Sequence, residues 1–208
     1  MSPLLVLPLA YLVGGVPFGY LLGRLRGVDL FCEGSGNIGA TNAGRVLGWR
    51  YGVLCFALDF LKGAGPVAVA GRLGGDEWVT VGAAALAFLG HLFPVYLRFR
   101  GGKGVATGAG TIAVLVPGPA AVAVAAWAVV ALASRTVSLA SLAAAAALVA
   151  ARLLLDPAPF GPGAVAATLY CLAGAAVVAV KHWANVRRLL AGTENTVGDR
   201  PVRHTALK

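Results

Sequence analysis

Charge is what this sequence has least of. Of its 208 residues only 12% are charged, about half the share a soluble domain carries, while 59% are hydrophobic. Acid is scarcer than base: eight Asp and Glu stand against 17 Lys and Arg, for a formal net charge of +9. Cysteine is sparse too. Cys32, Cys55 and Cys171 stand far apart with no C-x-x-C, which implies neither a disulfide framework nor a zinc site. No metal-binding constellation stands out, and no cofactor is expected. A basic segment is missing ahead of "PLLVLPLAYLVGGVPFGYLLG", so that run reads as a retained first span and not as a cleaved signal peptide.

What the chain has instead is long apolar runs, at about 4–23, 52–71, 78–97, 104–116, 119–133, 137–155 and 163–181. They predict an all-α multi-pass integral membrane protein: one membrane domain over 1–198 and a polar, frayed tail over 199–208. The basic residues cluster at the ends of the runs, the pattern of membrane orientation and not of nucleic-acid binding. Arg24, Arg26, Arg45 and Arg50 follow the first run; Arg98, Arg100 and Lys103 follow the third; Lys181, Arg187 and Arg188 close the last. The positive-inside rule then puts the N-terminus outside. It also decides between two readings of 104–133, which "PGP" splits. A single span would send the last basic cluster outside, whereas a down-and-back pair returns it to the cytoplasm. About seven helices are expected, the fourth and fifth short, with a cytoplasmic C-terminus.

Under this topology four polar segments reach one face: "GSGNIGATNAGR" (34–45), "GHLFPVYLRFRGGKGVATG" (90–108), "SRTVSLAS" (134–141) and "KHWANVRRLLAGTENTVG" (181–198). Irregular backbone near membrane depth is tolerated where it lines a cavity or is buried in protein. The first segment offers backbone N–H groups that glycine leaves open to a ligand, with Arg45 as an anchor. "GGKGVAT" looks like a phosphate cradle with one Lys before a helix start, although it lacks the G-x-x-x-x-G-K-[ST] spacing. Ser134 or Thr136 can cap the next helix. Ser138 and Ser141 share a face at i, i+3, as do His182 and Asn185. Plainer readings stand beside these. Arg24, Arg26, Arg50, Arg98 and Arg188 fit topology or snorkelling anchors, Asp59 and Lys62 a local ion pair, and the serines interhelical hydrogen bonds.

Taken together, the segments resemble the acyl-phosphate-dependent glycerol-3-phosphate acyltransferases of bacterial inner membranes. The resemblance runs from Gly14 to Gly198. It is carried by Ser35-Gly36-Asn37-Ile38-Gly39-Ala40-Thr41-Asn42 with Arg45; by Gly90-His91, Pro94 and Gly101-Gly102-Lys103-Gly104-Val105-Ala106-Thr107; and by His182, Asn185, Arg188-Leu189, Gly192 and Glu194. "DFLKG" (59–63) and "SRTVSLAS" also match. Phe31, where the family often has Arg, and Thr136, where it often has an aromatic, depart from the pattern.

The resemblance implies transfer of an acyl chain from acyl phosphate to the sn-1 hydroxyl of glycerol 3-phosphate, on the cytoplasmic side of the membrane. It implies substrate-binding roles for Ser35, Asn37, Thr41, Asn42, Arg45, Lys103, Thr107, Arg135, Ser138, Ser141, His182 and Asn185. Ser35, Lys103, His182 and Asn185 are the candidates closest to the chemistry. Gly36, Gly39, Gly101, Gly102, Gly104 and Glu194 would shape the site. A monomer in the lipid bilayer is expected. No carboxylate stands five positions after His91 or His182, where Tyr96 and Arg187 sit, and there is no G-x-S-x-G. A covalent acyl-enzyme is therefore not expected. The rival reading is an anion transporter, for which the sequence lacks an internal repeat.

Overall fold

A computed structural model describes residues 2–198; the tail expected at 199–208 lies outside the described residues. Among them are ten α-helices and no strand. α1 (Val6–Gly15) and α2 (Phe18–Leu25) are two pieces of one apolar run. The break falls at Pro17, which has no N–H to continue a helix. α3 (Ala40–Leu47) is a short amphipathic helix inside the first polar segment. The long helices α4 (Trp49–Arg72) and α5 (Glu77–Leu92) follow. Then come α6 (Val105–Leu115), α7 (Pro117–Ser134), α8 (Val137–Leu155), α9 (Val165–Lys181) and α10 (Trp183–Leu190).

Among the described residues, five segments are long and apolar enough to cross a membrane: Pro3–Leu25, Trp49–Arg72, Glu77–Leu97, Pro117–Ser134 and Val137–Leu155. α9 and α10 qualify together, bent by 56° at His182, and α6 is a shorter apolar helix. The expectation of two short helices needs correcting. α6 is short, with 11 residues, but α7 has 18. "PGP" does not sit between two stubs. Pro117 is the first residue of α7, where its missing N–H costs nothing and its fixed φ favours a helix. The down-and-back path itself is present: Val105 at the start of α6 and Ser138 at the start of α8 line the same cavity.

Small residues let the helices approach closely. Gly63 of α4 faces the Thr107 carbonyl of α6, and Gly110 of α6 faces the Phe60 carbonyl, so a side chain at either would collide with main chain. At the end of the bundle away from that cavity, Arg152 pairs with Asp156 at 2.7 Å and donates to Thr168 Oγ1 and the Ala164 carbonyl. Glu77 accepts the N–H groups of Ala166 and Ala167, which stitches α5 to the start of α9. The polar groups at that end satisfy one another.

Candidate active site

The four polar segments meet around one cavity of ≈ 130 Å³. Four helices begin in its wall. The first turns of α3 (Ala40, Thr41), α6 (Val105, Ala106), α8 (Val137, Ser138) and α10 (Asn185, with His182 just before it) all line it. None of these starts has a side-chain cap. First-turn N–H groups have no intrahelical partner and carry the positive end of the helix dipole. Four such ends around one space make a strong anion site. Arg45, Lys103 and Arg188 add cationic side chains.

The 34–45 segment is braced from within by Asn42, 1% exposed. Its Oδ1 accepts the Ser35 N–H at 2.8 Å, and its amide nitrogen faces the carbonyls of Leu30, Glu33 and Asn37 at 3.3, 3.0 and 2.8 Å. This alters the expectation for Asn42: its side chain shapes the loop, and its amide hydrogens are already committed to backbone carbonyls. Asn37 Oδ1 likewise holds the Gly39 N–H at 2.8 Å. Gly36 takes φ +67°, and Gly39 is the residue before α3. Phe31, one of the two departures from the family pattern, receives the Arg100 guanidinium 4.7 Å above its ring, which ties this loop to the next.

That next loop delivers Lys103. Gly104 then turns the chain into α6 with φ +85°, a left-handed conformation that a side chain would strain. The Lys103 ammonium donates to Asn185 Oδ1. Burial brings its pKa down to about 8; the Glu194 carboxylate opposes the shift, and Arg188 and Arg45 add to it. Asn185 Nδ2 donates to Glu194 Oε1 at 2.7 Å, Ser138 donates to the same oxygen at 3.0 Å, and Arg188 Nε binds Oε2 at 2.7 Å. Burial alone would raise the Glu194 pKa, but these three donors hold it below the usual carboxylate range. Asn185 is thus a link between Lys103 and Glu194. Ser141 donates to the Val137 carbonyl at 2.8 Å, one turn back on its own helix. His182 Nδ1 lies 2.8 Å from the Val178 carbonyl. A carbonyl only accepts, so Nδ1 carries the proton and Nε2 is the nitrogen left for a ligand.

Of the residues expected here, the structure brings Ser35, Asn37, Thr41, Asn42, Arg45, Lys103, Ser138, Ser141, His182 and Asn185 to one cavity, with Gly39, Gly104 and Glu194. Two are elsewhere. Thr107 is fully buried between α6 and α4, and Arg135 is spent on the Val197 carbonyl at 2.8 Å. The cap expected at 134–136 also differs: Thr136 stands at the N-cap position, but its hydroxyl turns back to the Ser134 carbonyl. The cavity contains residues to which sequence reasoning gave no site role, although the expected Asp59–Lys62 pair is present at 2.7 Å. Arg188 had read as an anchor, Asp59 as half of a local pair, and His91 carried no site role. Phe56 and Trp127 also line it and carried no signal that sets them apart from other membrane aromatics.

A second cavity of ≈ 370 Å³ shares Phe56, Gly104, Val105, Trp127 and Ser141 with the first. Its remaining wall is apolar apart from the Tyr170 hydroxyl, and comes from α5 through α9, including Phe88, Ile112, Leu148, Cys171 and Gly174. A polar, anion-seeking chamber therefore opens onto a greasy one.

Comparison with known proteins shows the family and the fold. The family model described as glycerol-3-phosphate acyltransferase matches residues 4–192. The chain belongs to the glycerol-3-phosphate acyltransferase family. It is 45% identical to the glycerol-3-phosphate acyltransferase of Rubrobacter xylanophilus over 201 residues, 96% of this chain and 98% of that one. Two crystal structures of PlsY (YgiH), an integral membrane glycerol 3-phosphate acyltransferase, match its fold. The glycerol 3-phosphate form gives a TM-score of 0.88 at 38% identity, covering 95% of this chain and 96% of that one. The lysophosphatidic acid form gives 0.84 at 37%, with the same coverage. This protein is thus a bacterial multi-pass membrane acyltransferase, and its family places it in phospholipid biosynthesis.

Proposed function

We propose that this acyltransferase moves a fatty acyl group from acyl phosphate to the sn-1 hydroxyl of glycerol 3-phosphate, releasing 1-acyl-glycerol 3-phosphate and inorganic phosphate. The observation that carries the reading is the joined pair of cavities. The polar one has four uncapped helix starts and three cations, enough for two phosphate groups. The apolar one beside it suits a single alkyl chain. Ser35, Arg45 and Lys103 would hold the phosphate of glycerol 3-phosphate. Thr41, Ser138 and the N–H groups at the starts of α3 and α8 would hold the acyl phosphate head.

The hydroxyl oxygen attacks the acyl carbonyl carbon, and a tetrahedral oxyanion forms. Collapse breaks the carbonyl carbon–oxygen bond to phosphate, and phosphate leaves with that bond's electron pair. The hydroxyl proton passes to an oxygen of the departing phosphate, so no protein base is required. His182 Nε2, with Nδ1 already fixed as the protonated nitrogen, accepts the hydroxyl hydrogen bond and aims the nucleophile. Positive helix ends and Lys103 steady the developing charge. The enzyme acts as a monomer in the bacterial inner membrane, with N-terminus outside and the site open to the cytoplasm.

Purified protein in lipid, given labelled glycerol 3-phosphate with palmitoyl phosphate, palmitoyl-CoA or palmitoyl-acyl carrier protein, tests the reading. Labelled 1-acyl-glycerol 3-phosphate should form with palmitoyl phosphate only. Equal turnover with a thioester donor would sink the donor assignment.

A further inference from the structure

A charged cluster lies at the inner wall of the polar cavity, and the acyl-transfer steps make no use of it. Asp59 and Lys62 stand one turn apart on α4, 2% and 5% exposed, with Nζ 2.7 Å from Oδ1. His91, near the end of α5 and 5% exposed, places Nδ1 3.7 Å from the same carboxylate oxygen. Lys62 also donates to the Val16 carbonyl at 2.6 Å, in the break between α1 and α2. A buried ion pair contributes little net stability, because desolvation offsets most of its Coulomb attraction. Its use is better sought in what lies against it.

The pair adjoins His91, and His91 contacts the Lys103 loop. The His91 carbonyl accepts the Gly102 N–H at 3.2 Å. The ring lies so close to Gly102 that a Cβ there would strike Nε2. The next residue is Lys103, whose ammonium reaches across the cavity to Asn185. We propose that His91, packed beside the Asp59–Lys62 pair, is the positioning residue for Lys103: it sets phosphate affinity by fixing the loop that carries the ammonium. The inference rests on the reading of Lys103 as a ligand of the glycerol 3-phosphate phosphate.

The test is a double-mutant cycle in steady-state kinetics. His91→Ala should raise the KM for glycerol 3-phosphate about tenfold and leave kcat within about threefold. In a Lys103→Ala background it should add nothing, since no ammonium is left to place. If Lys103→Ala alone leaves KM unchanged, the ligand reading itself fails and the inference falls with it. If Lys103→Ala raises KM but His91→Ala raises it about tenfold further in that background, the ligand reading stands and the positioning role is refuted. A loss confined to kcat refutes it as well. Should His91→Ala not fold, Gly102→Ala probes the same contact from the loop side. It should raise KM in the native background and not in Lys103→Ala; an unchanged KM in the native background would overturn the proposal.

Discussion

The two joined cavities are built in opposite ways. The polar one gathers residues from 35 to 195, mostly from loops and the first turns of helices. Those loops are braced by side chains whose bonds are already spent, as with Asn42 under 34–45 and Glu194 under α8 and α10. The apolar one comes mainly from the consecutive helices α6 to α9, where Gly108, Ala109, Ala144, Ala145 and Gly174 leave room. The difference follows from the ligands each would take. A phosphate needs donors fixed in direction, and fixing them takes a second layer of hydrogen bonds. An alkyl chain needs only dry space, which small residues on helix faces supply.

The sharpest way to separate the two halves is to remove one cation. Lys103→Ala should raise the KM for glycerol 3-phosphate about 100-fold, the worth of a charge-assisted phosphate contact, while the donor KM moves less than about threefold. Initial rates with each substrate varied in turn would show it; a donor KM that rises equally would mean the ammonium grips both head groups. Filling the other half is the complementary test. A side chain at Gly174 meets nothing within 4 Å, so Gly174→Leu should project into the apolar cavity without disturbing the fold. A loss of about tenfold in kcat/KM is expected with a long-chain acyl phosphate, with a short-chain donor and the glycerol 3-phosphate KM nearly unaffected.

The pH dependence belongs to the polar half alone. With its pKa near 8, Lys103 is charged at pH 7 and largely neutral at pH 9. Binding of a phosphate favours the protonated amine, so the KM for glycerol 3-phosphate should rise about tenfold from pH 7 to pH 9. Lys103→Arg keeps its charge over that range, so its profile should be flat. The smallest effect is expected at Glu194→Gln, which removes the charge partner of Arg188 but keeps one acceptor oxygen for Ser138 or Asn185. A KM increase of about threefold and a modest fall in the melting temperature should follow.

Much of the site was legible before any coordinates. Glycine-rich and polar stretches stand out in an apolar chain, and the positive-inside rule sends them to one face, so their convergence follows from charge and run length. Individual roles were less legible. Asn42 read as a ligand because an amide in a polar loop looks the same whether it faces a substrate or its own backbone, and Asn185, in the cavity wall, is already bonded to Lys103 and Glu194. Arg135 and Thr107 sat inside matching motifs, yet helix phase turns Thr107 toward α4 and a turn sends Arg135 to Val197. His91 and Arg188 went the other way: their segments were expected on one face, but charge and run length do not separate a wall residue from an anchor.

The sequence by itself determined the class of protein, the membrane-crossing runs, the family and the four polar segments. Hydrophobic run length, charge placement and short motifs are local properties, readable without distances. Only the tertiary structure decided that four helix starts share one cavity, that an apolar chamber adjoins it, and that Asp59, Lys62 and His91 form a cluster behind the Lys103 loop. These depend on helix rotation and on which small residues let backbones touch, and such contacts join positions far apart in the chain.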